Sequence, residues 1–160
     1  MPTVHWQRRV PDAIRRLDTL VDPDYVDLFT AAPTDASAKS PEEWARAIFQ
    51  GAPAPLRLFI PLVHRWILGL RLGPRSSPDH ILGWRIGDRG EDYVTLEVAS
   101  SLMTPHLLLK ADVNRISVAT LIRYNRSAAR WIWPPMSIVH RRVGITLLRH
   151  ALRSHQAAHR

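Results

Sequence analysis

Cysteine is missing from all 160 residues. That excludes a disulfide framework, a thiol nucleophile and thiolate metal ligands, and it fits a reducing compartment, so a cytoplasmic location is the expectation. Lysine is nearly missing as well: 20 of the 22 basic residues are arginine, with only Lys39 and Lys110 as lysines. Acidic side chains stop at Asp112. The last 48 residues hold nine arginines and no Asp or Glu, whereas the residues before them nearly cancel at 13 basic against 14 acidic. There is no long apolar run. The best stretch, 56–72, is broken by Arg57, Pro61, His64, Arg65 and Arg71, and a membrane-crossing helix needs about 20 predominantly apolar residues. The N-terminal residues lack the apolar core of a signal peptide. No G-x-S-x-G, H-E-x-x-H, P-loop or G-x-G-x-x-G occurs. No cofactor and no metal are called for, and whether the protein is an enzyme stays open.

What is present fits one domain. Residues 1–22 read as an amphipathic segment, with Val10, Ile14, Leu17 and Val21 at helical spacing. Residues 25–30 alternate as a strand, and 31–40 have loop composition. Ser40-Pro41-Glu42-Glu43 is a helix start: Ser40 caps, Pro41 suits the first helical position and Glu43 completes a capping box. A second helical pattern covers 56–72, divided at Pro61.

From residue 81 the period changes from 3.6 to 2. Four alternating runs, at 81–86, 93–98, 106–111 and 116–124, are joined by short turns and predict an antiparallel meander with one apolar face. With the strand at 25–30 that makes five. The C-terminus supplies a cover. Ser127 starts a helical stretch, Pro134-Pro135 interrupts it, and Ser137 restarts a helix to about Arg153, with Val139, Val143, Leu147, Leu148, Ala151 and Leu152 on its inner side. Residues 154–160 read as a frayed tail, so the domain proper is placed at 23–153. The fold class is α+β: an antiparallel sheet gripping a long C-terminal helix, with two helices between the first strand and the meander.

The order strand, two helices, meander, long helix resembles the SRPBCC or START-like helix-grip superfamily, which includes polyketide cyclase-like proteins. The closer resemblance is to a domain-of-unknown-function branch. It is carried by 24–29 (DYVDLF), 43–49 (EWARAIF), 69–73 (GLRLG), 82–85 (LGWR) and 140–142 (HRR). It spans about residues 22–153, although the superfamily usually has seven strands. The resemblance implies a cavity between sheet and C-terminal helix that holds an apolar small molecule.

Five residues are candidates for that site. Trp84, Tyr124, Trp131 and Trp133 fall near the sheet–helix junction, and aromatics serve equally as core and as pocket lining. His140 falls in the first turn of the restarted helix; a histidine there can act as acid, base or ligand anchor. Glu97 is the carboxylate considered as its partner. Arg85 and Arg123 fall on the outer face by alternation. His155 and His159 have a metal-compatible spacing but lie in the tail. Two alternatives to the apolar-ligand reading stand beside it. The arginine-rich C-terminal third, with Trp131 and Trp133, could dock on anionic membrane or nucleic acid. His140 could serve a cyclase- or isomerase-like enzyme. Ligand identity and oligomeric state are not encoded in any readable signal.

Overall fold

The computed structural model describes residues 2–160. Eight strands form one open sheet in the order β1-β2-β8-β7-β6-β5-β4-β3, every neighbouring pair antiparallel. The strands are β1 (Val4–Gln7), β2 (Tyr25–Ala31), β3 (Ser76–Ser77), β4 (His80–Ile81), β5 (Trp84–Arg89), β6 (Tyr93–Glu97), β7 (Met103–Asp112) and β8 (Arg115–Tyr124). The helices are α1 (Asp12–Arg15), α2 (Pro41–Phe49), α3 (Ala54–Leu62) and α4 (Ala129–Ala158). The α+β class, the two helices α2 and α3 before the meander, and the long C-terminal helix all follow the sequence pattern.

Alternation along the strands decides which face each side chain takes. In β2, Tyr25, Asp27, Phe29 and Ala31 point to one face, and their partners across the ladder are Ile122, Thr120, Val118 and Ile116 of β8. This face, continued by Met103, Leu109, Val94 and Leu96, packs under α4 and α2 in the main core. The opposite face carries Leu28, Leu108, Ala119 and Leu121, and it is covered by Val10, Ile14, Leu17 and Leu20 of the N-terminal segment. His106 on that face lies 2.9 Å from Asp18 of the same segment.

Five strands were expected and eight are present. Two of the additions, β3 and β4, are two-residue pieces within and beside the 75–79 loop, too short for alternation to reveal. The third is β1, inside the stretch read as a helical stripe. Val4–Gln7 pairs with 28–31 of β2, so only Asp12–Arg15 is helical, and Val21 is exposed while Leu20 turns inward.

α2 starts as predicted: Glu43 N–H donates to Ser40 Oγ at 3.1 Å, and Ser40 N–H donates to Glu43 Oε2 at 2.7 Å. α3 differs. It runs through Pro61 as an α-helix and then widens into a π turn at Val63–Ile67, ending at Gly69 in the left-handed region (φ 66°) rather than continuing to Leu72. Pro61 lacks the N–H that would reach the Arg57 carbonyl four residues back. Arg75 supplies the missing donor, its Nη2 2.6 Å from Arg57 O.

α4 also departs from expectation. The helix is continuous across Pro134 and Pro135. The prolines sit in its second turn, and the carbonyls that lose a partner belong to Arg130 and Trp131, both exposed. Nor does the helix fray at residue 154: it continues to Ala158 because His155 is buried against Trp44 of α2 (ring centroids 4.9 Å apart) with Lys39 Nζ 2.8 Å from its Nδ1.

Candidate functional site

Between the sheet and α4 lies a cavity of about 120 Å³, lined almost entirely by apolar side chains. The floor comes from Phe29, Leu96, Leu107 and Val118, and the α4 wall from Trp133, Met136, Val143 and Leu147. Phe59, Ile60 and Val63 of α3 and the π turn complete it. Gly144 is what lets α4 come so close to the sheet here: a Cβ at that position would lie 2.6 Å from Cζ of Phe29.

Besides the indole N–H groups of Trp84 and Trp133, the second of them buried without a partner, three side chains put polar groups on the lining: Thr120, His140 and His64. The first two belong to one network centred on Asp27, which has no exposed surface. Asp27 Oδ2 accepts from Tyr25 OH at 2.7 Å and from Trp6 Nε1 at 3.2 Å, and it lies 3.2 Å from His140 Nε2. Thr120, the cross-strand partner of Asp27, places Oγ1 3.1 Å from the same His140 nitrogen. Burial alone would raise the Asp27 carboxyl. The hydrogen bonds from His140, Tyr25 and Thr120, with the charge of His140, outweigh it and hold the carboxyl below its ordinary range. Burial first, then the Asp27 hydrogen bond and charge, push the Tyr25 hydroxyl far up, so Tyr25 stays a neutral donor. Asp27 Oδ1 has no hydrogen-bond partner. A buried carboxylate with one oxygen unmet is expensive unless its other oxygen is well held, and three groups converge on Oδ2: Tyr25, Trp6 and His140.

His64 approaches the cavity from the π turn. Trp84 Nε1–H donates to its Nδ1 at 3.2 Å. With Nδ1 accepting, the neutral ring carries its proton on Nε2. Burial, and secondarily the charge of His140, push the His64 pKa down to about 4, so at neutral pH it is an uncharged N–H donor. The site thus combines an imidazole oriented by a buried carboxylate, a hydroxyl beside it, and a second imidazole fixed as a donor, all on an apolar wall. Such a set can hold one oxygen-bearing end of an otherwise apolar occupant.

Of the five sequence candidates, Trp84, Trp133 and His140 line the cavity; Tyr124 and Trp131 do not. Tyr124 is half-buried at the end of β8, and Trp131 is 83% exposed on the outer side of α4. The partner of His140 is Asp27 and not Glu97. Glu97 points to the outer face, where Arg85 Nη2 lies 2.5 Å from its Oε2. Arg123 is exposed, as alternation predicts.

Asp27, Thr120 and His64 were not singled out as site residues. Asp27 did carry a signal: it is an acid at an inward position of a period-2 strand, between Tyr25 and Phe29. Among the described residues no helix is long and apolar enough to cross a membrane. Compared with known protein families, curated proteins and solved structures, the chain finds no match in any of the three.

Proposed function

We propose that this chain is a START-like, SRPBCC-type protein that binds a small, largely apolar molecule between its sheet and α4, with one polar end held by Thr120, His140 and the His64 N–H. The observation that carries the reading is the lining itself: an apolar enclosure with three polar side chains converging on it, one of them anchored by a buried carboxylate. A few well-placed polar groups in a hydrophobic concavity are the usual make-up of a small-molecule site. The size limits the occupant. About 120 Å³ is below the roughly 300 Å³ at which drug-sized pockets begin and near the ~150 Å³ of an engineered apolar cavity that accepts benzene. The occupant is of single-ring size unless α3 moves aside. The element order β2–α2–α3–meander–α4 supports the superfamily assignment.

Native mass spectrometry of freshly purified protein, with and without denaturation, tests this. A releasable small-molecule adduct is expected, or a rise in melting temperature with ring-sized ketones or phenols. Thr120→Val, which removes the hydroxyl and little else, should weaken that binding by about tenfold, the worth of one hydrogen bond to a polar end. A clean apo mass together with no thermal shift across such a panel would sink the proposal.

A further inference from the structure

α3 and the π turn leave most of their large apolar side chains exposed. Only Ile60 of α3 is buried. Leu58 is 62% exposed, Leu62 57%, Trp66 76%, Ile67 50% and Phe59 45%. These five side chains occupy ten consecutive residues and share a face for a structural reason. Leu58, Leu62 and Trp66 follow one another at i, i+4, i+8. The wider π turn advances each residue through a smaller angle than an α turn, which keeps Trp66 and Ile67 beside Leu62 and Phe59. Without that turn, Ile67 would rotate toward the buried side with Ile60. Phe59 also lines the cavity, as does the exposed Val139 of α4, and Ile138 beside it is exposed too. Exposed apolar side chains therefore border the cavity on both α3 and α4. Contiguous exposed apolar surface of this kind marks an interaction site.

Charge selects the partner. Between Glu43 and Asp79 there is no acidic residue, and none follows Asp112. Arg57 and Arg65, within the apolar segment, and Arg71 and Arg75, just after it, are all exposed. Aliphatic and Trp side chains on one face with arginines at its margins, and no carboxylate among them, are the make-up of a helix that lies in a membrane interface and favours anionic lipid. A nucleic acid would be matched by the arginines but not by Leu58, Leu62 and Ile67. We propose that α3 and the π turn form a docking face for an anionic lipid bilayer, with Leu58, Leu62, Trp66 and Ile67 entering the interface and Arg57, Arg65 and Arg71 meeting lipid phosphates. The surface differs from the C-terminal one read from charge alone, and the inference does not depend on what occupies the cavity.

Co-sedimentation with phosphatidylcholine vesicles, with and without phosphatidylglycerol, tests it. The wild-type protein should partition onto the phosphatidylglycerol vesicles at low salt and more weakly as salt rises. L62S/W66S should lose at least about tenfold in partitioning, since burial of two large side chains is removed. Both positions are exposed, so its melting temperature should match wild type; Leu58→Ser, at the far end of the face, provides a second folded variant. R65Q/R71Q should bind several-fold more weakly and with less salt dependence. No partitioning of the wild type at low salt overturns the proposal, as does L62S/W66S sedimenting like wild type. Self-association by light scattering that L62S/W66S abolishes overturns it in favour of a second copy on this face. Salt-dependent binding to single-stranded DNA, unchanged in L62S/W66S and without vesicle binding, overturns it in favour of nucleic acid.

Discussion

Asp27 and His64 solve the same difficulty, a polar group beside an apolar cavity, in opposite ways. Asp27 stays charged because donors converge on it; His64 stays neutral because burial disfavours its proton. The two choices act at different pH. With a folded value of about 4 against an unfolded value near 6.5, His64 lets the unfolded chain bind the extra proton between those limits. Stability present above about pH 6.5 is then lost as pH falls toward about 4, by at most about 3 kcal/mol. Asp27 has a depressed folded value, so its contribution is lost only below about pH 4. His155, lowered by burial and by Lys39, acts in the same direction, its contribution falling away as pH drops below about 6.5. Urea denaturation at neutral pH and near pH 5 should therefore show wild-type stability falling with acid, and His64→Gln should remove part of that fall while His155 keeps the rest. An unchanged slope in His64→Gln would mean the ring is better solvated than its surroundings imply.

The cavity depends on how closely α4 lies on the sheet, and Gly144 sets that distance. Glycine within a helix costs about 1 kcal/mol relative to alanine, so Gly144→Ala would stabilise an isolated α4. In the folded protein the added methyl would meet the buried Phe29 ring well inside contact distance. Overpacking of this kind costs typically 1–3 kcal/mol. Gly144→Ala should lower the denaturation midpoint despite its better helix propensity; a raised midpoint would show that the α4–Phe29 contact yields readily. α3 shows the same dependence of an element on its surroundings. Where its α-helix passes through Pro61, Arg75 from the segment before β3 donates to the Arg57 carbonyl that Pro61 leaves without a partner.

For the molecule as a whole, the sheet has two apolar faces and needs two covers. α4 and α2 serve one; the N-terminal segment serves the other. That segment also reaches around the edge to the site. β1 places Trp6 on Asp27, and the Arg141 guanidinium of α4 lies 4.0 Å from the centre of the Trp6 ring. A chain starting at Pro23 would uncover Leu28, Leu108 and Leu121, leave His106 without Asp18 and remove one donor from Asp27. It should bind a hydrophobic dye and melt well below the full chain; equal melting temperatures would show that residues 2–22 are an accessory to the fold.

Local chemistry was readable in advance. The capping box at Ser40 and Glu43, the change of period at residue 81 and the alternation of β5 to β8 are set by near neighbours, and so is the exposure of Arg85 and Arg123. The inner stripe of α4 was readable for the same reason from Val143 to Leu152, while Val139, expected on it, is exposed at the cavity's edge; together these features set the fold class. Three kinds of fact needed the tertiary structure. β1, β3 and β4 are too short to show a period and exist because a neighbouring strand offers them partners. The partner of the Arg57 carbonyl freed by Pro61 is Arg75, and the helix reaches Ala158 against Trp44 and Lys39, all distant in the chain. The Asp27–Thr120–His140 grouping is made by ladder register and by the seat of α4 on the sheet, bringing together residues 27, 120 and 140. Sequence spacing carries no information about an approach of that kind, because the contacts that create it are made only when the sheet closes under the helix.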